Sequence, residues 1–233
     1  MNRLKTKTTM KRISLLLVAL LFSISFYGQA WDNSKPDNRL TFGVRAGTLY
    51  STCNLTSDGG LAFDVVSKNS VKMKWGFNAG LIVDYSIVKS FALEVGAMYS
   101  NKGFGLDPGY YIEDGWDVKL SDNYSLSYME IPISSLFRFL LSNDTYLLFK
   151  VGCYVDFMLS GTTEFEHTYL DGSYRDAVNF DNKSDAGALL GIGVNYKKMH
   201  FEIQYEHGVL DIINKFHYCC KKRSVGFMIG YDF

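Results

Sequence analysis

The stretch Phe91-Ala-Leu-Glu-Val-Gly-Ala-Met-Tyr99 repeats with a period of two. Phe91, Leu93, Val95, Ala97 and Tyr99 form one face; Ala92, Glu94, Gly96 and Met98 form the other. Successive side chains of a strand point to opposite faces, so this is a strand pattern and not a helical one. The same alternation runs from Trp75 to Tyr85 and from Val225 to Phe233. Aromatic residues close the apolar face at both ends, as they do where a strand crosses a bilayer between two interfacial girdles.

The start of the chain points to the compartment. Arg3, Lys5, Lys7, Lys11 and Arg12 form a basic segment without acids, Ile13 to Phe22 are mainly apolar, and small and polar residues lead to Ala30. That is the layout of a secretory signal peptide with Gly28-Gln29-Ala30 as its cleavage motif. The apolar run is shorter than the ~20 residues a membrane anchor needs. Residues 1–30 are therefore read as a cleaved signal, 31–39 as an N-terminal periplasmic segment and 40–233 as one barrel domain. Removing five basic residues from the chain's 24 leaves 19 against 24 acidic ones, a net charge near −5. No nucleic-acid partner is expected, since that would call for a basic patch. With 17 Phe, 16 Tyr, 21 Gly and only 3 Pro, and no long apolar run after the signal, helical spans are excluded. A transmembrane barrel or an exported sandwich remains.

Eight segments alternate, at about 40–50, 75–86, 90–100, 124–140, 146–160, 184–196, 199–211 and 223–233. Residues 51–74, 101–123, 161–183 and 212–222 form long polar connections, and the three in between are short. Short periplasmic turns and long external loops are the rule for bacterial barrels, whereas a sandwich has no reason to alternate them. The expected fold is all-β: an eight-stranded antiparallel up-and-down transmembrane β-barrel, OmpA/OmpX-like, in the outer membrane, with both termini periplasmic. Its outer face would meet outer-membrane lipid and lipopolysaccharide, and its external loops a protein partner. Phe233, on the last strand, would be read by the barrel-assembly machinery.

If apolar side chains face lipid, Arg45, Asp84, Glu94, Glu130, Arg138, Lys150, Asp156, Glu202 and Glu206 fall on the lumen face with many glycines. Eight strands enclose a space only wide enough for side chains, and isolated buried charges are costly. A filled network of ion pairs is expected there, not an ion path. Glu130 would pair with Arg138 or Arg45, and Pro132 would mark a bulge or bend.

Motifs for chemistry are scarce. Cys53, Cys153, Cys219 and Cys220 contain no CxxC pair, and His167, His200, His207 and His217 have no metal-ligand spacing. Cys153 falls on an apolar face. Cys53 and the Cys219-Cys220 pair lie in loops of the first and last hairpins, neighbours in a closed barrel, where an oxidising compartment permits a loop disulfide. His200 and Glu202 share a face and could act as a base with its orienter, but no serine completes a nucleophilic set. No catalytic site, metal or cofactor is expected, although some outer-membrane barrels modify lipid A or cleave proteins.

Gly76-Phe-Asn-Ala-Gly80, Phe91 to Gly103, and above all Tyr128-Met-Glu-Ile-Pro132 resemble the PorT-like family of outer-membrane β-barrels from Bacteroidetes. Phe42 to Gly47, Asp185 to Gly193 and Gly226 to Phe233 fit the same pattern. The resemblance spans residues 40–233 and implies an outer-membrane barrel. The family's namesake serves a type IX protein-secretion apparatus, so an accessory role there is the second reading and a small-solute pore the third.

Overall fold

In the computed structural model, described for residues 31–57, 71–113, 116–167, 172–177, 184–210 and 218–233, the period of two becomes an alternation of burial. Ala92, Glu94 and Met98 are buried, while Leu93, Val95 and Tyr99 are exposed to the surroundings of the barrel. The strands are β1 (Leu40–Ser57), β2 (Val71–Val88), β3 (Phe91–Glu113), β4 (Trp116–Ser142), β5 (Thr145–His167), β6 (Gly172–Ala177), β7 (Ser184–Tyr196), β8 (Met199–Gly208) and β9 (Tyr218–Asp232). All pair antiparallel, and β9 pairs with β1 from Gly43↔Asp232 to Ser57↔Tyr218, which closes the sheet. β6 pairs with Thr162–His167 at the far end of β5, whereas β7 takes the lower part, Thr145–Phe157. Eight strands thus form the wall, and β6 is an added strand beyond it. Closure leaves no strand edge within the membrane, where an unpaired backbone amide would cost several kcal/mol.

Two-residue turns at Lys89–Ser90, Asn143–Asp144 and Lys197–Lys198 share one end of the barrel, here called the turn end; the opposite one is the loop end. Lys197 has φ 54°, the left-handed conformation that a tight hairpin turn requires. The N-terminal segment is tied to the turn end: the Asp32 N–H donates to Ser90 Oγ at 2.6 Å and the Lys89 N–H to the Ser34 carbonyl at 3.1 Å. Trp31 lies 5.5 Å from the Phe139 ring. The signal segment, residues 1–30, lies outside the described residues.

The strand limits differ from those expected. β3, β4 and β5 run to 23, 27 and 23 residues, and 101–123, expected as a loop, belongs to a hairpin paired from Asn101↔Ser127 to Glu113↔Trp116, with a register shift between Leu106 and Gly109. Beyond the lipid a strand's outer face need not be apolar, so alternation fades while backbone pairing continues. The Asp114-Gly115 pair between Glu113 and Trp116 was the legible sign, being a strong hairpin signal. Pro132 interrupts the β3–β4 ladder as expected, but without a bulge. The β3–β4 register is the same on both sides of it, Val95↔Ile133 and Met98↔Glu130, with the rungs between unpaired. The shifts in the β4–β5 pairing fall instead between Ser127 and Tyr128 and between Leu140 and Ser142.

Glycines on the lumen face let strands and side chains close in. A Cβ on Gly152 would stand 2.6 Å from Ser134 Cα, where backbone and not a flexible side chain would have to give. Gly152→Val is expected to destabilise the barrel by about 1–3 kcal/mol through overpacking, read from the urea midpoint in lipid or detergent. An unchanged midpoint would mean that β4 and β5 can part there at no cost.

Candidate functional site

The lumen holds ion pairs in layers. Near the loop end, Lys102 of β3 is 1% exposed as a side chain. Its Nζ contacts Glu130 at 2.7 Å, Glu206 at 2.7 Å and Asp156 at 3.2 Å. Lys222 of β9 meets Asp156 at 2.9 Å and Asp185 at 3.1 Å, and lies 3.6 Å from the centre of the Tyr128 ring. Hydroxyls complete the layer: Ser100 donates to Glu130 at 2.8 Å and Ser224 to Glu206 at 2.6 Å. An ammonium has three donors and no acceptor, which suits a site shared by several carboxylates.

A second layer lies nearer the turn end. Lys150 Nζ bridges Glu94 at 2.8 Å and Glu202 at 2.7 Å, and Glu202 also accepts from or pairs with His200 at 2.8 Å. The third layer joins Arg138 to Asp84 at 2.9 Å and to Ser86 at 2.8 Å, and Arg45 to Asp232 at 2.7 Å. Apolar side chains separate the layers. Met98 lies between Lys102 and Glu94 along β3, Met228 between Lys222 and Asp232 along β9, and all are on the lumen face. Above the Lys102 layer, Cys53, Phe104, Leu126 and Tyr128 form an apolar cluster, with Tyr124 stacked on Phe104 at 4.7 Å. Tyr146 packs against a second cluster of Ala92, Leu136 and Leu148.

All nine lumen residues singled out in the sequence line the interior. Their pairing differs: Glu130 meets Lys102 and Ser100, not Arg138 or Arg45, which hold Asp84 and Asp232. Lys102 and Lys222 were missed because they fall just outside the expected strands; their even-numbered place in the lumen face of β3 and β9 was the available sign. Asp185 and Asp232 were missed inside theirs. Cys53 is disulfide-bonded and Cys153 is a free thiol facing outward. The remaining cysteines, Cys219 and Cys220, pair by backbone with Thr56 and Leu55 of β1. Phe233 is exposed, stacks edge-on against Tyr231 at 5.4 Å and donates its N–H to Phe42.

As chemistry, the middle of the lumen offers fixed, buried charge. His200 and Glu202, the candidate base and orienter, are buried against each other at 2.8 Å, and Lys150 holds Glu202. Among the described residues, no group of three or more His, Cys, Asp or Glu is arranged to hold a metal ion. The described cavity sits at the turn end, about 400 Å³, floored by Arg138, Asn195 and Asp232.

An antiparallel barrel closed on itself, with apolar residues outward and charges inward, defines a transmembrane β-barrel protein. Residues 27–214 match the outer membrane protein beta-barrel domain family, and the chain belongs to that family and to the outer membrane. No curated protein matches the chain. Among solved structures, the chain is similar to Ail, the attachment invasion locus protein of Yersinia pestis, crystallised with the heparin analogue sucrose octasulfate. That likeness has 14% identity over 84% of this chain and 100% of that one, at a TM-score of 0.39. Neisserial surface protein A shares 13% identity over 82% and 97%, at 0.44. OprG from Pseudomonas aeruginosa shares 14% over 88% and 98%, at 0.41. At such scores none of the three bears on what this chain does.

Replacing Lys102 removes a shared cation from three carboxylates at once, and leaves Glu130 and Glu206 without an ion pair among the described residues. Lys102→Met is expected to cost about 3–5 kcal/mol, the range for breaking a buried pair by removing one partner. Lys102→Met with Glu206→Gln should recover part of it. Denaturant midpoints followed by heat-modifiable gel mobility measure both; additive losses in the double variant would argue against a shared network.

Proposed function

We propose that the protein is a non-enzymatic surface-interaction barrel of PorT type, which holds its long hairpins outside the outer membrane for a partner to bind. The observation that carries this reading is strand length. A crossing needs about 9–11 residues, whereas β4 has 27, on the order of 90 Å when extended. Much of the β3–β4 hairpin, and all of the β5–β6 pairing, therefore lies beyond the bilayer at the loop end. In this reading the loop end is external, the turn end and both termini are periplasmic, and Phe233 is the signal read during assembly. A packed lumen speaks against a pore.

The second reading, an accessory subunit of a type IX secretion apparatus, is favoured by Tyr128-Met-Glu-Ile-Pro132 and its neighbours. A short turn in place of residues 106–122 separates the readings from simple misfolding. The shortened barrel should keep its heat-modifiable mobility and lose its co-purifying partner from native outer membranes. Retention of the partner would sink the hairpin reading. A secretion defect in a deletion strain, together with secretion components in the pull-down, would favour the second. An epitope inserted between Gly59 and Gly60 should be reached by antibody on intact cells, and failure would overturn the orientation. In planar bilayers no steady large conductance is expected; its appearance would overturn the closed lumen.

A further inference from the structure

Charge on the outer wall is distributed unevenly. On β8, β9 and β1 the described acidic residues, Glu202, Glu206 and Asp232, belong to the lumen face. The outward faces of these strands carry two charges among the described residues, Lys221 and Arg223, both exposed and both at the loop end. Neither makes an ion pair or side-chain hydrogen bond within the described residues.

Their position is set by register. Tyr205 stands opposite Val225, Val225 opposite Tyr50, and Tyr50 opposite Trp75, so these residues form one rung across four strands. The Tyr50 and Trp75 rings are 5.0 Å apart. That rung is the upper aromatic edge of the lipid-facing band, which runs from Val225 to Tyr231 on β9 as four exposed apolar residues. The next outward-facing rung, about 7 Å further along the strands, reads His207, Arg223, Thr52. Lys221 lies one outward position beyond, opposite Asn54. Tyr205 and His207 are linked at 3.3 Å.

A guanidinium and an ammonium without partners among the described residues, just above an aromatic girdle, lie at the depth of lipid headgroups. Arginine's fork takes two oxygens of one phosphate, and lysine adds a point charge. Thr52, Asn54 and His207 supply hydroxyl, amide and imidazole partners beside them, which suit sugar hydroxyls better than a glycerol headgroup. We propose that Arg223, Lys221 and their neighbours on β1 and β8 form a docking surface for the phosphorylated glucosamine headgroup of lipopolysaccharide. The assignment to the outer leaflet rests on the external placement of the loop end proposed above.

The folded full barrel, and its Lys221→Gln/Arg223→Gln variant, would be titrated in detergent with lipopolysaccharide, with enzymatically dephosphorylated lipopolysaccharide and with phosphatidylglycerol. Bound lipid is read by native mass spectrometry. The double variant should bind lipopolysaccharide about twentyfold to thirtyfold more weakly than the unaltered barrel, on the scale expected for two surface cations. Dephosphorylated lipopolysaccharide and phosphatidylglycerol should bind the unaltered barrel at that weaker level. Both substituted side chains face outward, so heat-modifiable mobility should be unchanged; Arg223→Lys, with its charge kept and fork lost, serves as the milder variant and should fall between. Equal lipopolysaccharide binding by the double variant, or phosphatidylglycerol binding as tight as lipopolysaccharide, overturns the proposal. An accessible Gly59–Gly60 epitope with no phosphate-dependent binding overturns this inference alone. A masked epitope overturns the orientation and the leaflet assignment with it.

Discussion

Within a bilayer no water is available to the backbone, so each peptide N–H and C=O of a crossing strand must find a partner in the next strand. The pairing of β1 with β9 meets that demand and fixes the dimensions of the interior. Eight strands closed in this way leave a lumen only as wide as their own side chains. The lipid takes the apolar face of every strand, and the polar face has nowhere else to go. Charge in the lumen is thus a consequence of closure, and the ion-pair layers are the way those charges are tolerated.

The layers answer that constraint by sharing. Lys102 serves three carboxylates and Lys150 two, and Ser100 and Ser224 donate to the same Glu130 and Glu206 oxygens that Lys102 contacts. Buried ion pairs are weak evidence for net stability, because desolvation offsets much of the attraction. What they contribute here is register. A slip of one residue in a strand would turn that strand's lumen charges toward lipid, so the network disfavours misaligned barrels. Met98, Met228 and the Phe104–Leu126–Tyr128 cluster fill the spaces that charges leave, and the Cys53 disulfide holds the cluster's edge.

What could be read from the sequence tracks where the lipid acts. Within the bilayer the solvent imposes a period of two, and the eight wall strands, the outward Val225–Phe227–Ile229 series and the nine lumen charges were all legible from it. Beyond the bilayer that pressure ends. Lys102 and Lys222 sit where alternation has faded, so the cations that organise the upper layer fell in expected loops and Glu130 was matched to the wrong partners. The Asp114-Gly115 turn signal was local and readable, yet it weighs less than the loss of apolar alternation. Pro132 misleads for the opposite reason: a missing amide suggests a bulge, but leaving neighbouring rungs unpaired accommodates it without shifting the register.

The same division places function. Inside the band, chemistry is consumed by structure: every prominent charge is engaged in holding the barrel shut, and His200 with Glu202 is sealed among them. A fold of this kind does not fix an activity, so any activity must come from groups that the fold leaves unengaged. Two sets qualify. One is the length of β3, β4 and β5 that exceeds what a crossing needs, which the membrane does not explain. The other is Lys221 and Arg223, charges that face outward and are unpaired among the described residues, on strands whose acids turn inward. Both lie toward the loop end, with Lys221 and Arg223 on either side of Lys222 and so level with the upper ion-pair layer. In the proposed reading, a filled centre leaves recognition to the loop end, and the barrel serves to hold that surface at a fixed height above the lipid.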